Sequence, residues 1–242
     1  MTDVSCATLD AAAGVADTVV VIDVLRAFTT AAFAFDAGAR AITVVSDVEE
    51  AFALRDDNPD WLIMGEEHGL PVEGFDFDNS PASFVNQDLT GRYLIQRTSS
   101  GTQGVVRSRN ARHLLAVSLC CARATAEYLR RLRSQKVTMV MTGSHRGGLG
   151  EDDLACGDYL EALIYGKIPD AERVVERVRE SRAAQKFRDP ERPQFLPIDL
   201  DYAVDIDRFS FAMVVEKQDG QHVMQPVWAE QVPGEVWHRS VP

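Results

Sequence analysis

The stretch of residues 18–45, TVVVIDVLRAFTTAAFAFDAGARAITVV, decides the fold. It begins with five apolar or β-branched residues that do not alternate with polar ones, a pattern typical of a strand buried on both faces. A helix is predicted over residues 28–37, and Gly38 suits the position that follows a helix end. Residues 41–45 form the next predicted strand. A strand, a helix and a second strand of this length predict two parallel strands of one sheet.

The same alternation continues along the chain. Further strands are predicted at residues 61–64, 93–96, 113–117 and 137–141, and helices at residues 47–55, 121–133, 152–165 and just after Gly101. This order predicts an α/β fold with three α/β/α layers and a mostly parallel sheet. Residues 171–187 form a charged helical stretch, and residues 209–215 and 222–227, joined by Asp219-Gly220, predict a small C-terminal β-hairpin.

The chain is expected to form a single domain over residues 1–242, with a subdivision into a main sheet (1–166) and a charged helix plus hairpin (167–242) as the alternative. Residues 1–14 lack a clear apolar strand.

Composition narrows the range of partners. The 242 residues carry 37 acidic and 25 Lys and Arg side chains, a net charge of −12, which disfavours nucleic acid and anionic membranes. No run approaches the roughly 18 apolar residues of a membrane span, and no basic residue precedes Arg26, which argues against a secretory signal. The four cysteines form no C-x-x-C pair and favour a reducing compartment. We therefore expect a cytoplasmic protein with a small-molecule partner.

Ligands of parallel sheets bind beyond the carboxyl ends of the strands, where this chain places several polar groups. Residues 98–102, Thr-Ser-Ser-Gly-Thr, follow one strand and could cradle a phosphate with backbone N–H groups or form an ordinary helix N-cap. Arg26 and Arg97 stand at strand ends, where each would bind a phosphate or acid group, or else form an ion pair.

Carboxylates follow the strands as well. Asp23 ends an apolar strand, so a metal ion, a hydrogen-bonded turn or an arginine must accommodate its charge. Glu66 and Asp152 approach from other elements, and such a set of oxygen ligands suits Mg²⁺. The alternative for residues 151–153 is that their charges complement a helix start.

Absent motifs exclude several enzyme classes. The chain has no G-x-x-x-x-G-K-[ST] and no G-x-S-x-G, and Asp153 stands where the third glycine of a dinucleotide fingerprint would follow Gly148 and Gly150. A phosphate-sized anion site beside a divalent metal remains.

Several motifs in one order carry a resemblance to a known family. They are DVLRAFTT (residues 23–30), Gly65-Glu66, Gly74-Phe75-Asp76 with Asn79-Ser80-Pro81, Ser100-Gly101-Thr102, and Glu151-Asp152 with Gly157. Over residues 15–227 the chain resembles the 2-phosphosulfolactate phosphatase (ComB) family. The resemblance implies a Mg²⁺-dependent hydrolase that converts 2-phosphosulfolactate to sulfolactate and phosphate, a step toward coenzyme M in methanogens.

The resemblance also implies roles for individual residues. The catalytic residues would be Asp23, Arg26 and Glu66, and the metal ligands Asp23, Glu66 and Asp152. The substrate would be bound by Asn79, Ser80, Arg97, Ser99, Ser100, Gly101 and Thr102. Two residues depart from the family pattern: Asp78 replaces the usual glycine, and Cys156 replaces the usual alanine.

Other functions stay open at this point. The chain could be a phosphatase for another small acidic phosphoester, or a metal-independent isomerase or lyase on a similar scaffold. It could also be a non-catalytic module that binds an acidic ligand, an alternative supported only by Asp78. The oligomeric state is open, with a homodimer common among enzymes of this kind.

Overall fold

The computed structural model describes residues 2–145 and 148–228, so both ends of the predicted domain extend beyond the described part. The described residues form a sheet of ten strands and a two-stranded ribbon. In chain order the strands are β1 (Asp3–Thr8), β2 (Thr18–Ile22), β3 (Ala41–Val45), β4 (Leu62–Gly65), β5 (Phe77–Asp78), β6 (Tyr93–Arg97), β7 (His113–Val117), β8 (Lys136–Met141), β9 (Ser144–His145), β10 (Gly148–Leu149), β11 (Phe211–Gln218) and β12 (Gln221–Trp228).

Helices connect most of these strands. They are α1 (Ala27–Asp36), α2 (Val48–Asp57), α3 (Gly101–Arg107), α4 (Ala122–Leu132), α5 (Glu151–Ile164), α6 (Ala171–Glu180) and α7 (Pro197–Ala203), with 3-10 turns at Leu9–Gly14, Pro81–Phe84, Leu119–Cys121 and Ala184–Arg188. Within the part of the chain that the structure describes, no helix has the length and apolarity needed to cross a membrane. The predicted α/β class with a mostly parallel sheet is confirmed.

The sheet consists of two parallel halves joined by a hairpin. Its order is β1-β8-β2-β7-β11-β12-β3-β6-β4-β5, with parallel pairs on either side and antiparallel pairs wherever β11 or β12 takes part. The predicted hairpin is present, and it forms the middle of the sheet. Because β11 and β12 are antiparallel to each other and to their outer neighbours, the two halves run in opposite directions.

The first two predicted strands are the most buried parts of the sheet. All five residues of β2 and all five of β3 are buried, as their continuous apolar sequence predicts. Helix α3 contacts both strands, and a Cβ atom at Gly104 would lie 2.4 Å from Cγ1 of Val21. This close packing of α3 on β2 brings the loop before α3, which follows β6 in one half, to the end of β2 in the other.

Three elements differ from the sequence-based expectations. Strand β1 lies at the edge of the sheet beside β8 and is mostly exposed, which is why it lacks an apolar run. The charged helix over residues 171–187 ends at Glu180 and is followed by the turn Ala184–Arg188. Helix α7 was not predicted. It begins with Pro197, a residue that favours the first helical turn.

Candidate active site

Asp23 lies directly after β2 and is buried. Its Oδ1 accepts a hydrogen bond from the backbone N–H of Ala27 (3.0 Å), and its Oδ2 accepts one from Oγ1 of Thr142 (3.1 Å). The sequence left a metal ion, a hydrogen-bonded turn or an arginine as the group that accommodates the charge of Asp23. The structure shows the hydrogen-bonded turn. Burial, with smaller contributions from Asp152 and Glu66, raises the pKa of Asp23 to about 7.

Two further carboxylates of the first turn of α5 complete an acidic cluster, defined here as Asp23, Asp152 and Asp153. Both are buried, and burial raises the pKa of Asp152 to about 6. Burial and the other two carboxylates also raise the pKa of Asp153. Burial is the largest cause for all three residues, so the acidic cluster is held away from water.

Asp153 has a structural task within the acidic cluster. Its carboxylate accepts hydrogen bonds from the backbone N–H groups of Val24 (3.0 Å), Thr142 (3.1 Å) and Gly143 (2.7 Å). It thereby joins the ends of β2 and β8 to the start of α5. Within the described residues Asp152 makes no such cross-link. Each oxygen of Asp23 accepts a single hydrogen bond, which leaves one lone pair on each oxygen for a ligand.

The loop between β6 and α3 is held by Glu66. The backbone N–H of Ser99 donates to Oε1 of Glu66 (2.6 Å), and Ser99 Oγ and the backbone N–H of Gly69 donate to Oε2. Each carboxylate oxygen of Glu66 thus already accepts at least one hydrogen bond. The predicted role of Glu66 in metal binding stays a prediction, while these contacts give it the task of anchoring the loop.

The same loop touches the acidic cluster. A Cβ atom on Gly101 would lie 2.8 Å from Oδ2 of Asp23, so only glycine allows this approach. Thr102 closes the loop from the other side, because its Oγ1 accepts from the backbone N–H of Thr98 (2.8 Å) and donates to the Thr98 carbonyl (2.7 Å). Within the described residues, the N–H groups of Ser100 and Gly101 donate to no acceptor. Two backbone donors therefore remain beside Asp23.

Arg97 forms the ion pair that sequence analysis weighed as its alternative role. Its Nη2 lies 2.9 Å from Oε1 of Glu67, and its Nη1 donates to the carbonyl of Glu66 (2.8 Å). These contacts attach the loop after β4 to the end of β6. Whether Arg97 also binds substrate stays a prediction.

Arg26 is also buried and paired. Its Nη1 lies 2.8 Å from Oδ2 of Asp199 and donates to the carbonyl of Gln194 (3.0 Å). The guanidinium carbon lies 4.6 Å from the ring centroid of Phe195 and 5.3 Å from that of Phe187. Its Nε and Nη2 groups donate to nothing among residues 2–145 and 148–228. One edge of the guanidinium is therefore free to bind an anion.

Asp199, in α7, is a residue of the site that sequence analysis missed. It is fully buried, and besides Arg26 it receives hydrogen bonds from Oγ of Ser80 (2.7 Å) and the backbone N–H of Ala82 (3.2 Å). It thus brings together Arg26, a predicted catalytic residue, and Ser80, a predicted substrate-binding residue. Asp199 lies in a helix that was not predicted and in none of the family motifs, so no signal in the sequence marked it.

Asn79, beside Ser80, is buried, and its Oδ1 accepts no hydrogen bond from the part of the chain that the structure describes. Buried polar atoms without a partner are rare in folded proteins and indicate a missing water or ligand. Asp78, the departure from the family pattern, accepts a hydrogen bond from Oγ of Ser83 (2.7 Å). Cys156 is fully buried, in keeping with a packing substitution.

Comparison with known proteins identifies the family. The family model for 2-phosphosulpholactate phosphatase matches residues 6–218. A protein of Bacillus subtilis named probable 2-phosphosulfolactate phosphatase is 39% identical over 207 residues, 85% of this chain and 90% of its own length. Proteins of Deinococcus radiodurans and Thermus thermophilus with the same name are each 35% identical over 168 residues, 67% of this chain and 70% of theirs. The chain therefore belongs to the 2-phosphosulfolactate phosphatase family, a family of phosphoric monoester hydrolases, as its motifs predict.

Proposed function

We propose that this protein is a Mg²⁺-dependent phosphatase that hydrolyses 2-phosphosulfolactate to sulfolactate and phosphate. The observation that carries the proposal is the position of the acidic cluster. The cluster is buried, and Asp23 in it lies against Gly101 of the loop that carries two free backbone donors. Arg26 follows Asp23 by three residues. The substrate is taken from the names of the relatives.

The available carboxylates suit Mg²⁺. Within the described residues, no three side chains of His, Cys, Asp or Glu form a group that could hold a metal ion. Magnesium needs fewer protein ligands, because it is commonly bound by one or two carboxylates, water and substrate phosphate. Asp23 and Asp152 provide such a pair, and a divalent cation there would stabilise their charged forms against the burial that raises their pKa values. Bound there, Mg²⁺ would neutralise phosphoryl charge and orient the attacking oxygen.

The residues of this chain would share the remaining work. The free edge of Arg26 and the N–H groups of Ser100 and Gly101 would bind the phosphoryl oxygens, where charge must be stabilised. Asp23 would either attack phosphorus or take a proton from the attacking water. The second role needs a carboxylate oxygen that the metal does not occupy, because a bound divalent cation lowers the pKa of its ligand. In the overall reaction the bond between phosphorus and the ester oxygen of the substrate breaks. Water supplies one oxygen of the released phosphate.

Substrate binding would involve the group around Asp199. Ser80 is held by Asp199, and the unsatisfied Oδ1 of the neighbouring Asn79 would be satisfied by a bound water or ligand donor. A cytoplasmic location, a homodimer and a link to coenzyme M stay predictions.

The test is phosphate release from 2-phosphosulfolactate and a panel of small phosphoesters, with Mg²⁺ and with EDTA. We expect Mg²⁺-dependent release that prefers 2-phosphosulfolactate. Preference for another acidic phosphoester would keep the site and change the substrate. Release that survives EDTA would overturn the metal role, and Mg²⁺-dependent binding without release would favour the binding module.

A further inference from the structure

We propose that Lys186 binds the acid group that the substrate carries beside its phosphoester, and so selects for acidic phosphoesters over neutral ones. This inference rests on the proposed function. It concerns a residue outside the family motifs, in the 3-10 turn Ala184–Arg188.

The turn places Lys186 beside the phosphate-binding arginine. Phe187, the next residue, lies against Arg26 with 5.3 Å between ring centroid and guanidinium carbon. The ring of Phe195 lies 4.6 Å from the Arg26 guanidinium carbon and 5.5 Å from Nζ of Lys186. Both cations therefore border the same aromatic ring. A substrate whose phosphoryl group reaches Arg26 would extend its remaining atoms toward the rim formed by this ring.

Lys186 has no ion-pair partner among residues 2–145 and 148–228. Its side chain is exposed, and within the part of the chain that the structure describes its ammonium group forms no ion pair or hydrogen bond. Nearby arginines do form ion pairs: Arg179 with Asp201 at 2.8 Å and Arg192 with Asp189 at 3.2 Å. Lys186 thus remains available to an anion from solution.

Lys186 adds a positive charge to the rim beside Phe195. A positive charge beside an anion site raises the local concentration of an anionic ligand. An ammonium group is a compact charge with three donors, which suits a single carboxylate or sulfonate.

The experiment compares two substrates that differ in one acid group, 2-phospholactate and isopropyl phosphate. Wild-type protein is compared with Lys186→Met, Lys186→Arg and the control Lys167→Met. Lys167 is an exposed lysine that likewise lies over an aromatic ring, with Nζ 5.6 Å from the Tyr165 centroid. We expect Lys186→Met to lower the ratio of kcat/KM for 2-phospholactate to kcat/KM for isopropyl phosphate about 10-fold, the effect of one charge-assisted hydrogen bond. Lys186→Arg should restore most of the ratio, and Lys167→Met should leave it unchanged.

An unchanged ratio in Lys186→Met, or an equal change in Lys167→Met, would overturn the proposal. Failure of the proposed function would show separately, as wild-type protein that releases no phosphate from any ester. In that case calorimetry with sulfolactate still decides, since binding does not require turnover. A Kd about 10-fold weaker in Lys186→Met supports the proposal, whereas an equal Kd, or no binding to wild-type protein, overturns it.

Discussion

Replacement of Asp199 by alanine tests the most buried ion pair of the site. The side chain of Asp199 is fully buried, and that of Arg26 is 5% exposed. Alanine would remove the acceptor of Arg26, of the Ser80 hydroxyl and of the Ala82 N–H in a single change. The buried charge of Arg26 would then keep, among its contacts in the described residues, the Gln194 carbonyl and the rings of Phe187 and Phe195.

The expected loss is large for a single substitution. Removal of one partner from a buried ion pair costs about 3–5 kcal/mol of unfolding free energy. Asp201, two residues further along α7, pairs with Arg179 at the surface, where the two side chains are 55% and 39% exposed. Because surface pairs contribute roughly 0–1 kcal/mol, Asp201→Ala is a matched control on the same helix. The two variants should differ by about 3 kcal/mol.

Urea denaturation followed by circular dichroism measures this difference. A double variant separates the effect of the ion pair from that of packing. Burial raises the pKa of Asp199 despite its contact with Arg26, which means that this carboxylate is costly to bury even when it is paired. Arg26→Met with Asp199→Leu removes both charges and should therefore recover part of the stability that Asp199→Ala loses, although the Ser80 hydroxyl and the Ala82 N–H still lack their acceptor. Phosphatase activity should be lost in this double variant because Arg26 is absent. Equal unfolding free energies for Asp199→Ala and Asp201→Ala would refute the reasoning.

Three further predictions concern the acidic cluster and its loop. Gly101→Ala would place a methyl group 2.8 Å from Asp23 Oδ2, so we expect at least about a 100-fold loss of kcat in phosphate-release assays with the fold retained by circular dichroism. Since the pKa of Asp23 is raised to about 7 and that of Asp152 to about 6, protons compete with the metal below pH 7; calorimetry should give a Mg²⁺ affinity that falls about 10-fold per unit from pH 7 to pH 6 and is constant above pH 8. Glu66→Gln should weaken the anchoring of Ser99 and raise KM with little change in Mg²⁺ affinity, whereas a large drop in Mg²⁺ affinity would make Glu66 a metal ligand.

The sequence could predict those features that depend on residues close together in the chain. Strands β2 and β3 were predictable because burial on both faces requires continuous apolar residues. Strand β1 was not, because an edge strand that is mostly exposed has no such pattern. The β11–β12 hairpin was visible from its turn, but its insertion between β7 and β3 depends on pairing with strands far away in the sequence.

The same distinction holds for the site. The positions of Asp23, Glu66 and Asp152 at strand ends or a helix start could be read from the sequence; their roles in catalysis and metal binding stay predictions. Asp199 was not predictable, because its partner Arg26 is 173 residues away in the sequence. Only the folded structure shows that the C-terminal third supplies the counter-ion of the arginine after β2.

The central claim is that Asp23 performs chemistry rather than supporting the fold. The measurement that tests it most directly is phosphate release by Asp23→Asn in the presence of Mg²⁺, with Tm measured on the same sample. Asparagine can still accept from the Ala27 N–H and removes a buried carboxylate of raised pKa, so Tm should be similar to wild type or higher. We predict loss of turnover with Tm maintained; wild-type turnover in Asp23→Asn would contradict the account.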